Sequence, residues 1–246
     1  MAVSEIEAMR HDVPEEFFQQ EIMAKIMEGA GMVFRKVRDA ANGLVEAPVS
    51  GLWYVIGYDP AKVRDFAVAV VRKGDRIVRI ERWQETSYTV QAELVSGLAK
   101  QYNGASIIVD AGGPGQAVVE LLQKENRRVT PVTFDNQNKQ QMVDKLAIMF
   151  EQGKIVIPSA ACGAQYAACV DELTAYERVR TGSGLRYSYS APSGGHDDCV
   201  SALLLAFCGK GEEPVGRVIR NTAGLRARRG WLRTPSWITT DYGDDF

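Results

Sequence analysis

The sequence has no CxxC pair and only two histidines in 246 residues. Zinc-finger chemistry needs a local quartet of thiolates and imidazoles, so that class finds no support. No apolar run approaches the ~20 residues of a membrane span. The N-terminal stretch "MAVSEIEAMRHDVPEEFF" is acidic and lacks a signal-peptide core. The four cysteines, at 162, 169, 199 and 208, fit reduced thiols in a cytosolic compartment. There is no G-x-x-x-x-G-K-[ST], so no ATP site is expected in this chain. No internal repeat or low-complexity tract stands out. The net charge of −2 argues against a simple nucleic-acid coat.

What is present is unevenly distributed. Between Pro214 and Thr240 lie six arginines and no acid, and the remainder of the chain is then near −8. Such a segment can contact phosphate or can be a solvated tail. The chain closes with the acidic "DYGDDF".

The hydrophobic pattern predicts an α/β fold. Residues 1–50 read as helix and loop, with Phe17, Ile22 and Ile26 at helical spacing and "NGLVEAPVSG" (42–51) as a linker. "LWYVIGYD" (52–59) is a continuous apolar run, as in a buried central strand. "DFAVAVVRK" (65–73) and "RIVRIERW" (76–83) follow as strands joined by a tight turn. A helix over 89–102, a strand over 105–110, a helix after "GGPG" and a strand over 129–134 come next. Then come a helix over 138–153, a short strand "KIVIP" (154–158), a helix near 163–175 and a late strand "LRYSYS" (185–190). Three hairpin-linked strands followed by helix–strand repeats imply a mixed sheet, three antiparallel strands then parallel ones, flanked by helices.

The last helix raises a chemical question. In "SGGHDDCVSALLLAF" (193–207), Val200, Leu203, Leu204 and Phe207 recur at helical spacing, and Ala202, Leu205 and Ala206 cover most of the rest. A helix apolar on most sides is buried, and two carboxylates at its mouth are costly to desolvate unless something holds them. Helix capping accounts for one aspartate. It accounts less well for the second, because successive helical residues point about 100° apart.

A metal site is the alternative, and partners for it exist. Two buried strands each end in a carboxylate, Asp59 and Asp110. Sites in open α/β sheets collect beyond the carboxyl ends of strands. A crossover through the 89–102 helix would lay the 105–110 strand beside the first and parallel to it. Asp59 and Asp110 would then share one sheet end, and the last helix could bring Asp197 or Asp198 to it. Crowded carboxylates repel and are tolerated with cations between them. A hard oxygen set suits Mg²⁺ or Mn²⁺, and two such ions form the clamp used in phosphodiester cleavage.

The segments "YVIGYDPAKVRDFAVAVV", "SIIVDAGGPGQAVVELL" and "GGHDDCVSALLLA" resemble the three acidic motifs of the nuclease domain of the tailed-phage terminase large subunit. The resemblance covers about 51–208 and implies the ribonuclease-H-like fold shared with RuvC-type resolvases. "FFQQEIMAKIMEGAGMVF" is similar to the segment that closes the terminase ATPase domain. The implied organisation is 1–50 as the end of that domain with its linker, 51–210 as the nuclease domain, and 211–246 as a tail, arginine-rich then acidic. The chain would be the nuclease part of such a protein and would not translocate DNA by itself.

The resemblance also implies roles. Asp59 bridges two metal ions, Asp110 binds one, and Asp197 or Asp198 supplies the third ligand. The implied activity is endonucleolytic cutting of concatemeric double-stranded DNA in the host cytoplasm. The implied partners are the terminase small subunit and the procapsid portal, with no membrane. Lys139 and Lys145 are candidates for DNA phosphate, His196 for metal or phosphate, and Asp65 for an accessory carboxylate. A structure-selective resolvase and a non-catalytic DNA or portal docking module are the competing readings.

Overall fold

The computed structural model describes residues 31–61, 65–113, 115–126, 128–181 and 186–208. The helix expected near 17–28 and the arginine-rich tail lie outside them.

Five strands build one sheet: β1 (Val55–Asp59), β2 (Ala67–Lys73), β3 (Arg76–Trp83), β4 (Ser106–Asp110) and β5 (Val129–Val132), in the order β3-β2-β1-β4-β5. β1, β2 and β3 are antiparallel neighbours, while β1, β4 and β5 run parallel. β1 and β2 are apolar almost throughout because helices cover both of their faces. On one face lie α1 (Tyr88–Gln101) and α2 (Gly115–Glu125), packed through Val95, Leu98, Val118 and Leu122. On the other lie α3 (Asn136–Glu151), α4 (Ala164–Ala175) and α5 (Asp198–Cys208). No described helix is long and apolar enough to cross a membrane.

Helix α5 is the centre of the second layer. Val200 and the run from Ala202 to Phe207 are buried, as the sequence predicts. It lies directly on β1 at Gly57, where an added Cβ would fall 2.1 Å from the Ala202 carbonyl oxygen. The orphan carbonyls of a buried helix end need partners. Here Arg72 of β2 donates to the Ala206 carbonyl, and Lys145 of α3 donates to that of Phe207 at 2.6 Å.

Three local expectations are altered. "KIVIP" makes single bridges, Val156 to Arg76 and Pro158 to Gly43, and not a strand of the sheet. "RYSYS" does form a strand, β7 (Arg186–Ser190), but it pairs with β6 (Glu177–Thr181) in a separate two-stranded sheet. The 42–51 stretch is held along the domain. Glu46 receives Lys73 at 2.6 Å and Arg76 at 3.1 Å, and its backbone N–H donates to Val78. Just before it, Phe34, Val37 and Ala40 are buried in the same core as α3, α4 and α5.

Candidate metal centre

The sheet register sets the first two acids. β1 and β4 pair in parallel with Tyr58 opposite Val109, so Asp59 and Asp110 follow side by side at the same sheet end. Period-two alternation sends Asp59 to the face occupied by Gly57, which is the α5 face. Tyr58 points the other way and donates to Gln91 of α1 at 2.6 Å. Gln91 in turn donates to the Thr86 carbonyl at 2.6 Å and to that of Ala61 just past the strand. Asp110 is fixed by the glycine turn, because the Gly112 N–H donates to its Oδ1 at 2.8 Å.

The second pair comes from α5. The Asp197 carbonyl accepts from Ser201 at 2.9 Å, which places Asp197 at the helix cap and Asp198 in the first turn. Neither aspartate takes the Cys199 N–H. Glu172 of α4 does, through Oε2 at 2.7 Å. Asp198, only 8% exposed, accepts through Oδ2 from the backbone N–H of Phe66 at 3.1 Å. Asp197 is more open and faces Lys139, whose Nζ lies 3.8 Å from its Oδ2.

The four acids share one electrostatic field. The Asp59 carboxyl is held well above its ordinary range, first by burial and then by the charges of Asp110, Asp198 and Asp197; Lys139 opposes them. Burial raises Asp110, against the Gly112 N–H and Lys139. Burial also pushes Asp198 up to about 6, with Glu172 and Asp65 adding to the rise and the Phe66 N–H opposing it. Carboxylates placed at mutual cost in this way are a mark of a functional site.

Four further residues answer the remaining expectations. Lys139 faces the cluster, and its ammonium lies 5.9 Å from the ring centres of both Phe134 and Tyr176. Lys145 is engaged at the opposite end of α5, where it holds the Phe207 carbonyl. His196 Nδ1 stands 3.5 Å from Asp198 Oδ2 and 3.9 Å from Asp65 Oδ1. Asp65, His196 and Asp198 can each bring a ligand atom within 4.8 Å of the others; among the described residues they are the one trio that does so. Asp59, Asp110 and Asp197 fall outside that trio; what ties them to Asp198 is the charge that Asp110, Asp198 and Asp197 bring to bear on Asp59.

Sequence reasoning missed Glu172, Arg82 and Phe66. A signal existed for the first: Glu172 stands three residues after the buried Cys169, at the edge of the apolar stripe of α4.

A sheet of three antiparallel and then parallel strands, with acids ending its two central parallel strands and more acids on a helix packed across it, defines the ribonuclease-H-like class. The chain belongs to the family described as Terminase RNaseH-like domain, which matches residues 56–210. It is 28% identical over 207 residues to the terminase large subunit of Thermus virus P23-45, covering 79% of this chain and 41% of that protein. The chain thus spans about two fifths of that relative's length. Among solved structures, it resembles the large terminase nuclease of the thermophilic phage G20c with bound magnesium. The identity is 26% and the TM-score 0.64, over 73% of this chain and 97% of that one. The same G20c nuclease is also known with bound cobalt and with bound zinc. The large terminase nuclease domain of Thermus phage P74-26 matches at 26% identity and a TM-score of 0.60, over 71% of this chain and 93% of that one.

Proposed function

We propose that this chain is the metal-dependent DNA endonuclease domain of a phage terminase large subunit, cutting concatemeric viral DNA during genome packaging. The observation that carries the proposal is that Asp59 and Asp110 end adjacent parallel strands and that the charges of Asp110, Asp198 and Asp197 raise the Asp59 carboxyl, a cost that added positive charge would relieve. The donor set fits a hard divalent cation: it is all carboxylate oxygen, apart from the flanking His196. The bound magnesium of the G20c nuclease supports the same reading.

In this reading Asp59, Asp110 and the α5 pair would hold Mg²⁺ or Mn²⁺, with Asp59 as the central ligand. Such ions, when bound, neutralise phosphate charge and supply an activated water for phosphodiester hydrolysis. The protein's own groups prepare the place. Gly112 and Phe66 aim the carboxylates of Asp110 and Asp198 with backbone N–H bonds. Lys139 sets its Nζ beside Asp197 at the edge of the cluster and is the candidate contact for a DNA phosphate. Asp59, protonated more readily than a free carboxylate, releases its proton as cations enter. The small subunit and the portal of the procapsid are the expected partners, and the host cytoplasm the expected place of action.

The test is nicking of supercoiled plasmid by the wild type in Mg²⁺, Mn²⁺ or EDTA. Cleavage is expected with either ion and none with EDTA. Metal-independent cleavage would overturn the reading.

A further inference from the structure

We infer that Arg82 and Glu172 form a positioning unit that sets the mouth of α5, and with it Asp198, for metal binding; this rests on the nuclease reading above. The unit is a closed ring of contacts drawn from four places in the fold. Glu172 on α4 is 8% exposed and uses both carboxylate oxygens: Oε2 accepts from the Cys199 N–H at 2.7 Å, and Oε1 receives Arg82 from β3 at 3.0 Å. The Arg82 guanidinium stacks on the Phe66 ring at 3.4 Å. The Phe66 N–H closes the ring on Asp198 Oδ2 at 3.1 Å. Phe66 also presents its ring edge-on to His196, with 5.5 Å between ring centres.

Each member does a distinct task. Glu172 satisfies an orphan N–H at the start of α5, the service a helix usually receives from its own N-cap. Asp197 and Asp198 are thereby spared from capping and left to face the cluster. Glu172 also brings a buried negative charge close to Asp198, and Arg82 offsets it. A planar guanidinium can pair with a carboxylate and stack on a ring at once, which an ammonium cannot. Arg82 Nε is buried with no hydrogen-bond partner, a cost consistent with a placement chosen for the fork and the stack. Partners that orient ligands without touching metal typically tune affinity by about 10–100-fold.

The full chain is titrated with Mn²⁺ alone, reading binding by electron paramagnetic resonance, and nicking is measured against Mn²⁺ concentration. Glu172→Gln keeps size but has one acceptor oxygen for two donors, so either Cys199 or Arg82 loses its partner. Its half-saturating Mn²⁺ is expected to rise about 10-fold or more, with most of the rate recovered at saturation. Arg82→Lys is expected to shift the same way, and either variant carries the test if the other fails to fold. Arg72→Met, which loosens the far end of the same helix, is expected to lower the melting temperature and leave the half-saturation unchanged. An unshifted half-saturation in the folded Glu172 or Arg82 variants overturns the inference, as does an equal shift in Arg72→Met. A wild type that binds no Mn²⁺ overturns the metal-centre reading and this inference with it.

Discussion

In the proposed site Asp59 is the acid held at the greatest cost. It is pressed by burial and by three neighbouring acids, so neutralising it relieves repulsion. Asp59→Asn is therefore expected to abolish cleavage while the metal-free melting temperature holds or rises. Full nicking activity in that variant would remove Asp59 from the site. The same repulsion gives a pH dependence of unusual sign. The Asp198 carboxyl sits at about 6 in the folded protein, against about 3.9 for an unfolded aspartate. The folded state therefore holds this proton more tightly than the unfolded state. Its contribution to stability is fully present below about pH 4 and is lost as pH rises through about 6. Asp59, also held well above its ordinary range by burial, adds a loss of the same sign. In EDTA the melting temperature should fall across this range. Saturating Mg²⁺ should suppress the fall, because ions and protons compete for the same oxygens. Thermal melts at matched ionic strength check both halves; a melting temperature in EDTA that climbs from pH 5 to 7 would contradict the assignment.

At the scale of elements, the contact of β1 with α5 admits no extra atom. Gly57→Ala would place a methyl 2.1 Å from the Ala202 oxygen, so the helix must lift from the strand. The expected loss exceeds about 3 kcal/mol, measurable by urea denaturation, or the protein fails to accumulate in soluble form. The same tight element was the most legible in the sequence. Its continuous apolar pattern announced burial, and the strand-end aspartates pointed to the proposed site. The strand order was legible too, because hairpin links and a helical crossover leave few arrangements. The β6–β7 ribbon was half hidden: "ERVRT" offers one apolar residue, Val179, and that residue is 45% exposed, so no buried face writes a pattern there. "KIVIP" showed the opposite fault, because Ile155 and Ile157 are buried beside the sheet without joining it as a strand. How Asp198 and the mouth of α5 are held was illegible because it depends on Phe66 and Glu172, 132 and 27 residues from the groups they bind. Lys139, on what reads as a wet helix face, turns toward the acids because α3 starts beside them; the periodicity of α3 could not say so.

At the scale of the whole molecule, the proposed catalytic acids and the densest positive charge lie in different parts of the chain. The acid cluster repels DNA unless cations fill it, while positive charge is concentrated in the six arginines from 217 to 233. Binding of duplex DNA is expected to be weak and sequence-tolerant, and to fall steeply with salt, each neutralised phosphate adding about 0.9 to the log–log slope. Truncation after residue 212 should flatten that slope, measured by fluorescence anisotropy. An unchanged slope would assign the arginines to another partner. The proposed catalytic acids, in contrast, stand on one of the most buried elements. Helix α5 is buried along nearly its whole length and tied at both ends by side chains of β2, α3 and α4. Its amides from Ala202 to Phe207 should exchange with deuterium only when the entire domain unfolds. With the body of α5 so held, a local fluctuation would not carry its acids away, and in the proposed nuclease restraint of cutting would come from outside, by governing when DNA reaches a site already drawn up and waiting.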